Sequence, residues 1–290
     1  MVKNIRYAIV TPARDETEYI EATINSVTRQ TILPAEWVIV DDGSTDNTGS
    51  IVDQYAERFP WIRAVHRPNR GFREPGGGVV DAFYEGYNTL QHGDWEFLVK
   101  LDADLSFSED YFEECFARFD QEPRLGIGGG VIYHDLGGKL RLEANPRFHV
   151  RGATKIYRRA CWEAIGGLRR APGWDAIDEV KANMLGWETK SFDDLHLLHY
   201  RFTGSADGLL RDSVKHGMVC YVCGYHPLFV AASCMYRLIN KPFMVGSAAM
   251  CYGFLRGYFT RAPRVNDAQL IRYVRTQQLR RLFGLQTVWR

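Results

Sequence analysis

The sequence has no run of about twenty apolar residues uninterrupted by charge or proline, so no segment is expected to cross a bilayer as a helix. Its first ten residues, MVKNIRYAIV, contain no long apolar leader. Its six cysteines, at 115, 161, 220, 223, 234 and 251, lack the spacing of a disulfide framework. Reduced thiols and a cytoplasmic setting are therefore expected. Cys220-x-x-Cys223 stands without a second such pair, which argues against structural zinc or dithiol chemistry. No internal repeat or low-complexity segment is visible. Net charge is also scarce, +1 over 290 residues. That balance conceals an asymmetry: Arg237 to Arg290 holds ten Lys/Arg and one acid, Asp267, giving +9 against −8 for the first 236 residues. A basic tail implies an anionic surface, and its aromatic and apolar content favours lipid headgroups over nucleic acid.

What is present is an alternation of strand and helix signals. RYAIVTPA (6–13) is a continuous apolar strand, and residues 18–30 place Ile20, Ile24 and Val27 at helical spacing. EWVIVDDG (36–43) is a second strand, followed by a helix over 48–59 with Ile51, Val52, Tyr55, Ala56 and Phe59 on one face. A short strand at 62–67, a glycine-rich loop, a helix near 79–91 and a strand at 95–102 continue the pattern. Continuous rather than alternating apolar strands indicate a mostly parallel twisted sheet covered by helices on both faces, hence an α/β fold. LGIGGGVIYH and TKIYRR predict later strands, and GGLRRAPGWDAIDEVKANMLGW predicts a glycine loop and a helix. From Gly224 the chain turns aromatic and apolar but is broken by Arg237, Lys241 and Pro242, which fits two amphipathic helices. The expected division is a catalytic domain over 1–225 and a basic helical, membrane-associating extension over 226–290.

Ligands of such sheets bind beyond the carboxyl ends of the strands. Three predicted strand ends carry unusual chemistry: Thr11–Glu16, Asp41–Asp46 and Asp102–Asp104. Asp102-Ala103-Asp104 alone is compatible with an ordinary acidic strand end. Together with the other two it suggests a hard divalent cation, Mg²⁺ or Mn²⁺, held by carboxylate oxygens and shared with phosphate. The Gly76-Gly77-Gly78 run is equally compatible with a simple turn and with backbone N–H groups near phosphate.

IVTPARDE, VIVDDGSTDNT, NRGF and LDADL resemble, in order and spacing over about residues 5–200, the landmarks of inverting family 2 glycosyltransferases with the GT-A fold. The resemblance implies a nucleotide-sugar donor, Mn²⁺ or Mg²⁺, and inversion at the anomeric carbon. Carried over, it implies that Thr11, Pro12, Arg14 and Glu16 lie on a loop bordering the nucleotide. Asp42 would accept a hydrogen bond from the base, usually uracil, and Asn69, Arg70 and Gly71 would form a nucleotide-contacting loop. Asp102 would serve both nucleotide and cation, with Asp104 and His199 as further metal ligands. Arg201 is an alternative counter-charge for diphosphate. Ser44 and Asp46 would shape the turn, with capping of the next helix the stronger role for Asp46.

Direct displacement also needs a base for the acceptor hydroxyl. Counting back from Gly186-Trp187 places Asp175 at the family's catalytic aspartate, with Asp178 and Glu179 as second and third candidates; Trp174 stands where the family has Glu. Gly166-Gly167-Leu168 is similar to the family's acceptor-side loop and equally to a helix C-terminal turn. QLRRL (278–282) departs from the QxxRW signature of processive synthases at Leu282, and a plain basic helix is the better reading. The expected function is transfer of a sugar to a hydroxyl acceptor, lipid-linked, in surface polysaccharide or glycolipid assembly, by an enzyme peripheral on the cytoplasmic membrane face. A polyprenyl-phosphate sugar synthase is the alternative within the family. Outside it stands a non-catalytic nucleotide-sugar-binding or membrane scaffold. Nucleotidyl transfer would call for a glycine-rich basic loop after the first strand, where this chain has TPARDE.

Overall fold

Strands β1 (Tyr7–Ala13), β2 (Glu36–Asp41) and β4 (Phe97–Leu101) are almost wholly buried, because helices cover both faces of the sheet they form. The computed structural model describes residues 5–72, 77–143, 145–201, 208–238 and 244–289. The remaining elements are α1 (Ile20–Thr28), α2 (Thr48–Arg58), β3 (Ile62–His66), α3 (Gly77–Asn88), β5 (Leu105–Phe107), α4 (Tyr111–Gln121), β6 (Leu125–Asp135), β7 (Leu140–Leu142), β8 (Thr154–Arg158), α5 (Arg159–Ile165), α6 (Trp174–Met184), β9 (Glu188–His199), α7 (Leu209–Val222), α8 (Pro227–Arg237), α9 (Val245–Phe259) and α10 (Ala268–Leu282). Gly76, Lys241 and Pro242, singled out in the sequence, lie outside the described residues.

Among the described residues, the sheet runs β3-β2-β1-β4-β8-β6-β9-β5, with β7 paired to β6. Its first four strands are mutually parallel, whereas β8 runs antiparallel to both β4 and β6. The parallel character read from the apolar runs thus holds for the first half, and the sheet as a whole is mixed. The chain builds outward from β1 to β2 and β3, then returns to the other side of β1 for β4. Such a reversal opens a crevice at the carboxyl ends of the strands. Aromatic packing supports it from below: Tyr7 lies 5.0 Å from Phe112 and 4.9 Å from Phe116, and Phe97 lies 5.0 Å from Phe119.

The chain divides into two compact units that do not follow the expected 225/226 boundary. One comprises Met1–Arg170 with Leu185–Arg201, and the other Ala171–Met184 with Phe202–Arg290. Helix α6 therefore groups with the C-terminal helices: it packs on α10, and Lys181 Nζ lies 3.6 Å from Asp267 Oδ2. Gly166 ends α5 at φ 73° and returns its N–H to Trp162 O, so Gly166-Gly167 is a helix C-terminal turn. Gln278 of QLRRL is buried, and its Oε1 accepts from His226 N at 2.8 Å, a structural use of that residue.

In the second unit α7 and α9 cross at glycines. A Cβ on Gly253 would stand 2.0 Å from Val214 O, and one on Gly217 would stand 2.0 Å from Met250 O. Gly253→Ala gains about 1 kcal/mol of helix propensity. The overpacking against a backbone carbonyl costs about 1–3 kcal/mol and is not relieved by rotating a side chain. The expected result is a lower midpoint in denaturant unfolding, and an unchanged or higher midpoint would contradict this packing. The six cysteines are free thiols, with Cys234 Sγ and Cys251 Sγ 3.2 Å apart between α8 and α9. Burial pushes the Cys220 thiol up to about 12, and it raises Cys223 also, which leaves both inert. Among the described residues no helix is long and apolar enough to cross a membrane.

Candidate active site

The strand pairings put the ends of β1, β2 and β4 on one edge, with β2 and β4 two strand spacings apart, roughly 10 Å. Asp42 follows β2 directly, and its N–H donates to Ala13 O at 2.8 Å. Its carboxylate is buried and shared by two guanidinium groups. Arg67 Nη1 lies 2.5 Å from Oδ1, while Arg70 Nη1 and Nη2 lie 2.8 Å from Oδ1 and 2.7 Å from Oδ2. Arg14 donates to Asp42 O at 2.7 Å and to Asn69 Oδ1 at 2.8 Å, and Gly71 N also donates to Asn69 Oδ1 at 2.8 Å. Asp42, Arg14, Asn69, Arg70 and Gly71 thus form one connected cluster. Gly43 makes it possible: at φ 71° it lies so close to the 68–69 backbone that a Cβ would stand 2.5 Å from Asn69 Cα.

Neighbouring turns are tied just as closely. Asp15, itself at φ 54°, accepts from Thr45 N at 2.7 Å, and Glu16 N donates to Thr48 Oγ1 at 2.8 Å. Arg201 Nη2 lies 2.7 Å from Glu16 Oε2 and donates to Asp15 O at 3.1 Å, so here it faces the first loop. Asp46 accepts from Thr48 N and from Thr17 N, at 3.0 and 3.2 Å. Burial opposes the Asp46 charge, yet these hydrogen bonds outweigh it and lower its pKa. It ties down the first turn of α2 from the position before Asn47, the N-cap residue. Asp41 accepts from Ser44 N at 2.9 Å and contacts His66 Nδ1 at 3.2 Å. The pKa of His66 is raised, chiefly by its hydrogen bond to Asp53, with Asp41 adding and burial opposing.

Two expected loop residues lie elsewhere. Thr11 and Pro12 belong to β1 itself, and the Thr11 hydroxyl is buried, accepting from Trp37 Nε1 at 2.9 Å. Position 11 is thus a core contact, and the loop proper begins at Arg14.

At the end of β4, Asp102 N donates to Ala153 O at 2.8 Å, and the Asp102 carboxylate meets Lys100 Nζ. Lys100 is itself buried and is registered opposite the equally buried Lys155 on β8. Asp104 is buried, with Oδ2 3.1 Å from His199 Nε2 at the end of β9. The partners of the two acids are therefore a lysine and a histidine. Burial works against a charged His199, but the Asp104 hydrogen bond, with the charges of Asp104 and Asp102, raises its pKa. Donor atoms of Asp102, Asp104 and His199 lie within 4.8 Å of one another, and His199 Nδ1 is buried without a hydrogen-bond partner. Two carboxylates and an imidazole are a donor set that suits Mn²⁺ or Mg²⁺. Behind them, His134 Nδ1 lies 3.2 Å from His199 O, and its Nε2 lies 3.3 Å from Glu143 Oε2.

Arg67, Lys100, His134 and Glu143 escaped the sequence reading. Lys100 had a legible signal, a lone charge inside an apolar strand run. The others are brought in by sheet order and loop packing, which leave no local pattern.

The candidate bases lie in the second unit. Asp175 opens α6 and is partly exposed, whereas Asp178 and Glu179 are 3% and 2% exposed. Asp178 Oδ1 accepts from Glu179 N at 2.7 Å. Tyr225, whose pKa is raised mainly by burial and further by Cys223, Cys220, Asp175 and Glu179, is within electrostatic reach of this acidic turn.

A cleft of about 590 Å³ is lined by none of these residues. It is walled by Arg118, Lys190 and Asp194, whose charges are paired with one another or with Glu114 and Glu122. It flanks the first half of β9, whereas His199 is the last residue of that strand.

The sequence profile of glycosyl transferase family 2 matches residues 8–168, more than half of the chain. The chain belongs to that family. Among curated relatives it is 29% identical over 118 residues to a chondroitin synthase of Pasteurella multocida, covering 41% of this chain and 11% of that protein. It is 38% identical over 87 residues to the uncharacterized glycosyltransferase EpsJ of Bacillus subtilis, covering 30% and 25%. The chain thus spans only a small part of these relatives' length. Among solved structures, S. aureus TarS 1–349 in complex with UDP superposes with TM-score 0.54 at 16% identity, covering 88% of this chain and 72% of that one. The Pyrobaculum calidifontis mannosyltransferase PcManGT, in complex with GDP-Man and Mn²⁺, gives 0.56 at 17% identity, covering 97% and 76%. Likeness at this identity establishes the shared fold, GT-A.

Proposed function

We propose that the protein transfers a sugar from a nucleotide diphospho-sugar to a hydroxyl acceptor, with inversion in a single displacement. The observation that carries this reading is the joining of the Asp42 cluster and the Asp102–Asp104–His199 cluster to one edge of the sheet, two strands apart. A nucleoside binds at the first and its diphosphate at the second.

The chemistry of the first cluster favours one base. Asp42 accepts, and the flanking Arg67 and Arg70 donate. Held in that way, Asp42 would accept from the N3–H of uracil or thymine, the kind of base the family resemblance implies. UDP or dTDP donors are therefore favoured over GDP donors. Asp102, Asp104 and His199 would hold Mn²⁺ or Mg²⁺, which stabilises the negative charge of the departing diphosphate. Lys100, against Asp102, fixes that carboxylate and adds positive charge beneath it.

Asp175 takes the proton from the acceptor hydroxyl. Among the three acids of α6 it is the least enclosed, and a base must be reached by its substrate. Asp178 and Glu179, enclosed one turn further along α6, serve the packing of that helix. The aromatic, basic second unit suits an acceptor carried on a lipid, as in glycolipid or surface polysaccharide assembly.

Incubation with a panel of UDP-, dTDP- and GDP-sugars, with and without Mn²⁺, tests the donor half without knowledge of the acceptor. Slow hydrolysis that depends on Mn²⁺ and favours the pyrimidine donors roughly tenfold or more is expected. A preference for GDP-sugars would overturn the reading of Asp42, and hydrolysis indifferent to Mn²⁺ would overturn that of the acidic cluster.

A further inference from the structure

Helix α9 is apolar on two opposite faces. Gly246, Ser247, Met250, Gly253, Phe254 and Gly257 are buried. Val245, Ala248, Tyr252, Leu255 and Phe259, spaced three and four apart along the other side, face solvent. Phe259 is 85% exposed. Its neighbour α8 repeats the arrangement with Leu228, Ala231, Met235 and the following Leu238, Met235 being 70% exposed. Isolated exposed apolar residues are ordinary, but two adjacent helices each presenting such a stripe mark an interaction surface.

We infer that the exposed stripes of α8 and α9 dock this protein onto an anionic lipid bilayer, the helices lying in the headgroup region rather than crossing it. Charge decides between lipid and the obvious alternative, a second copy of the chain. Neither helix contains an acidic residue, and the exposed cations beside the stripes are Arg237, Arg256 and Arg261. A two-fold pairing would set these arginines against themselves without the opposite charges that flank a helix–helix seam. Anionic headgroups neutralise them, and Tyr236, Tyr252 and Tyr258 are of the type that settles at the membrane–water boundary. At 15 residues α9 is about 22 Å long, too short to span the hydrocarbon core.

The inference deepens the lipid-linked-acceptor reading and uses that reading only for the nature of the acceptor. The test is co-flotation of the full chain with vesicles of phosphatidylcholine, alone and mixed with phosphatidylglycerol, using wild type and the double variant Leu255→Ser/Phe259→Ser. Both side chains are exposed, so melting should be unchanged. Binding that requires phosphatidylglycerol and falls on the order of a hundredfold in the double variant is expected. Binding equal on phosphatidylcholine alone, or indifferent to the double substitution, would overturn the assignment. So would a wild-type dimer in light scattering that the double variant converts to monomer without any vesicle binding. Donor hydrolysis without vesicles is measured in parallel. If it persists while flotation fails, the docking surface is wrong and the donor reading stands; the reverse result separates them the other way.

Discussion

Asp104→Asn is expected to abolish Mn²⁺-dependent binding of UDP and to lower donor hydrolysis by roughly a thousandfold. The substitution keeps the size of the side chain and its ability to meet His199 Nε2, now 3.1 Å from Asp104 Oδ2. It removes the negative charge and replaces one acceptor oxygen with an amide NH₂. Asp102 would remain as a ligand, but a single carboxylate shared with Lys100 leaves most of a divalent cation's charge unbalanced. Titration calorimetry of UDP with Mn²⁺ reads the effect directly, with thermal melting as the control for folding. An undiminished affinity in the variant would remove the cation from this site.

Asp175→Asn is expected to leave UDP binding intact and to reduce transfer to an acceptor by roughly 10²–10⁴-fold, the usual contribution of a positioned base. Asp178→Asn and Glu179→Gln provide the contrast. Both side chains are buried in the first turns of α6, so their substitution should lower the melting midpoint more than it alters turnover at a temperature where the fold is intact. If Asp175→Asn transfers at the wild-type rate while one of the other two does not, the base is the residue whose loss stops turnover.

Much of the first half was legible because its signals are local. The apolar runs at β1, β2 and β4 and the helical spacing of Ile20, Ile24 and Val27 report burial within a few residues of themselves. The element edges of α1, α2 and α3 fall within a few residues of expectation for the same reason. Short β5 and β7 carry three residues each, too few for any period to register. The antiparallel insertion of β8 between β4 and β6 was not legible either, since a buried strand looks the same whichever way its neighbour runs.

The acids themselves were determined by the sequence: an apolar strand ending in Asp42, another ending in Asp102 and Asp104, and a helix opening with Asp175. Which groups answer them was decided only by tertiary structure. Arg67 and Arg70 reach Asp42 because β3 lies beside β2, and His199 reaches Asp104 from 95 residues away because β9 pairs with β5. Helix α6 joins the C-terminal helices although the strand following it returns to the sheet. The reason is physical: local sequence sets which face of a segment is apolar, whereas a buried charge is balanced by whatever side chain the fold carries to it, and that has no fixed distance along the chain.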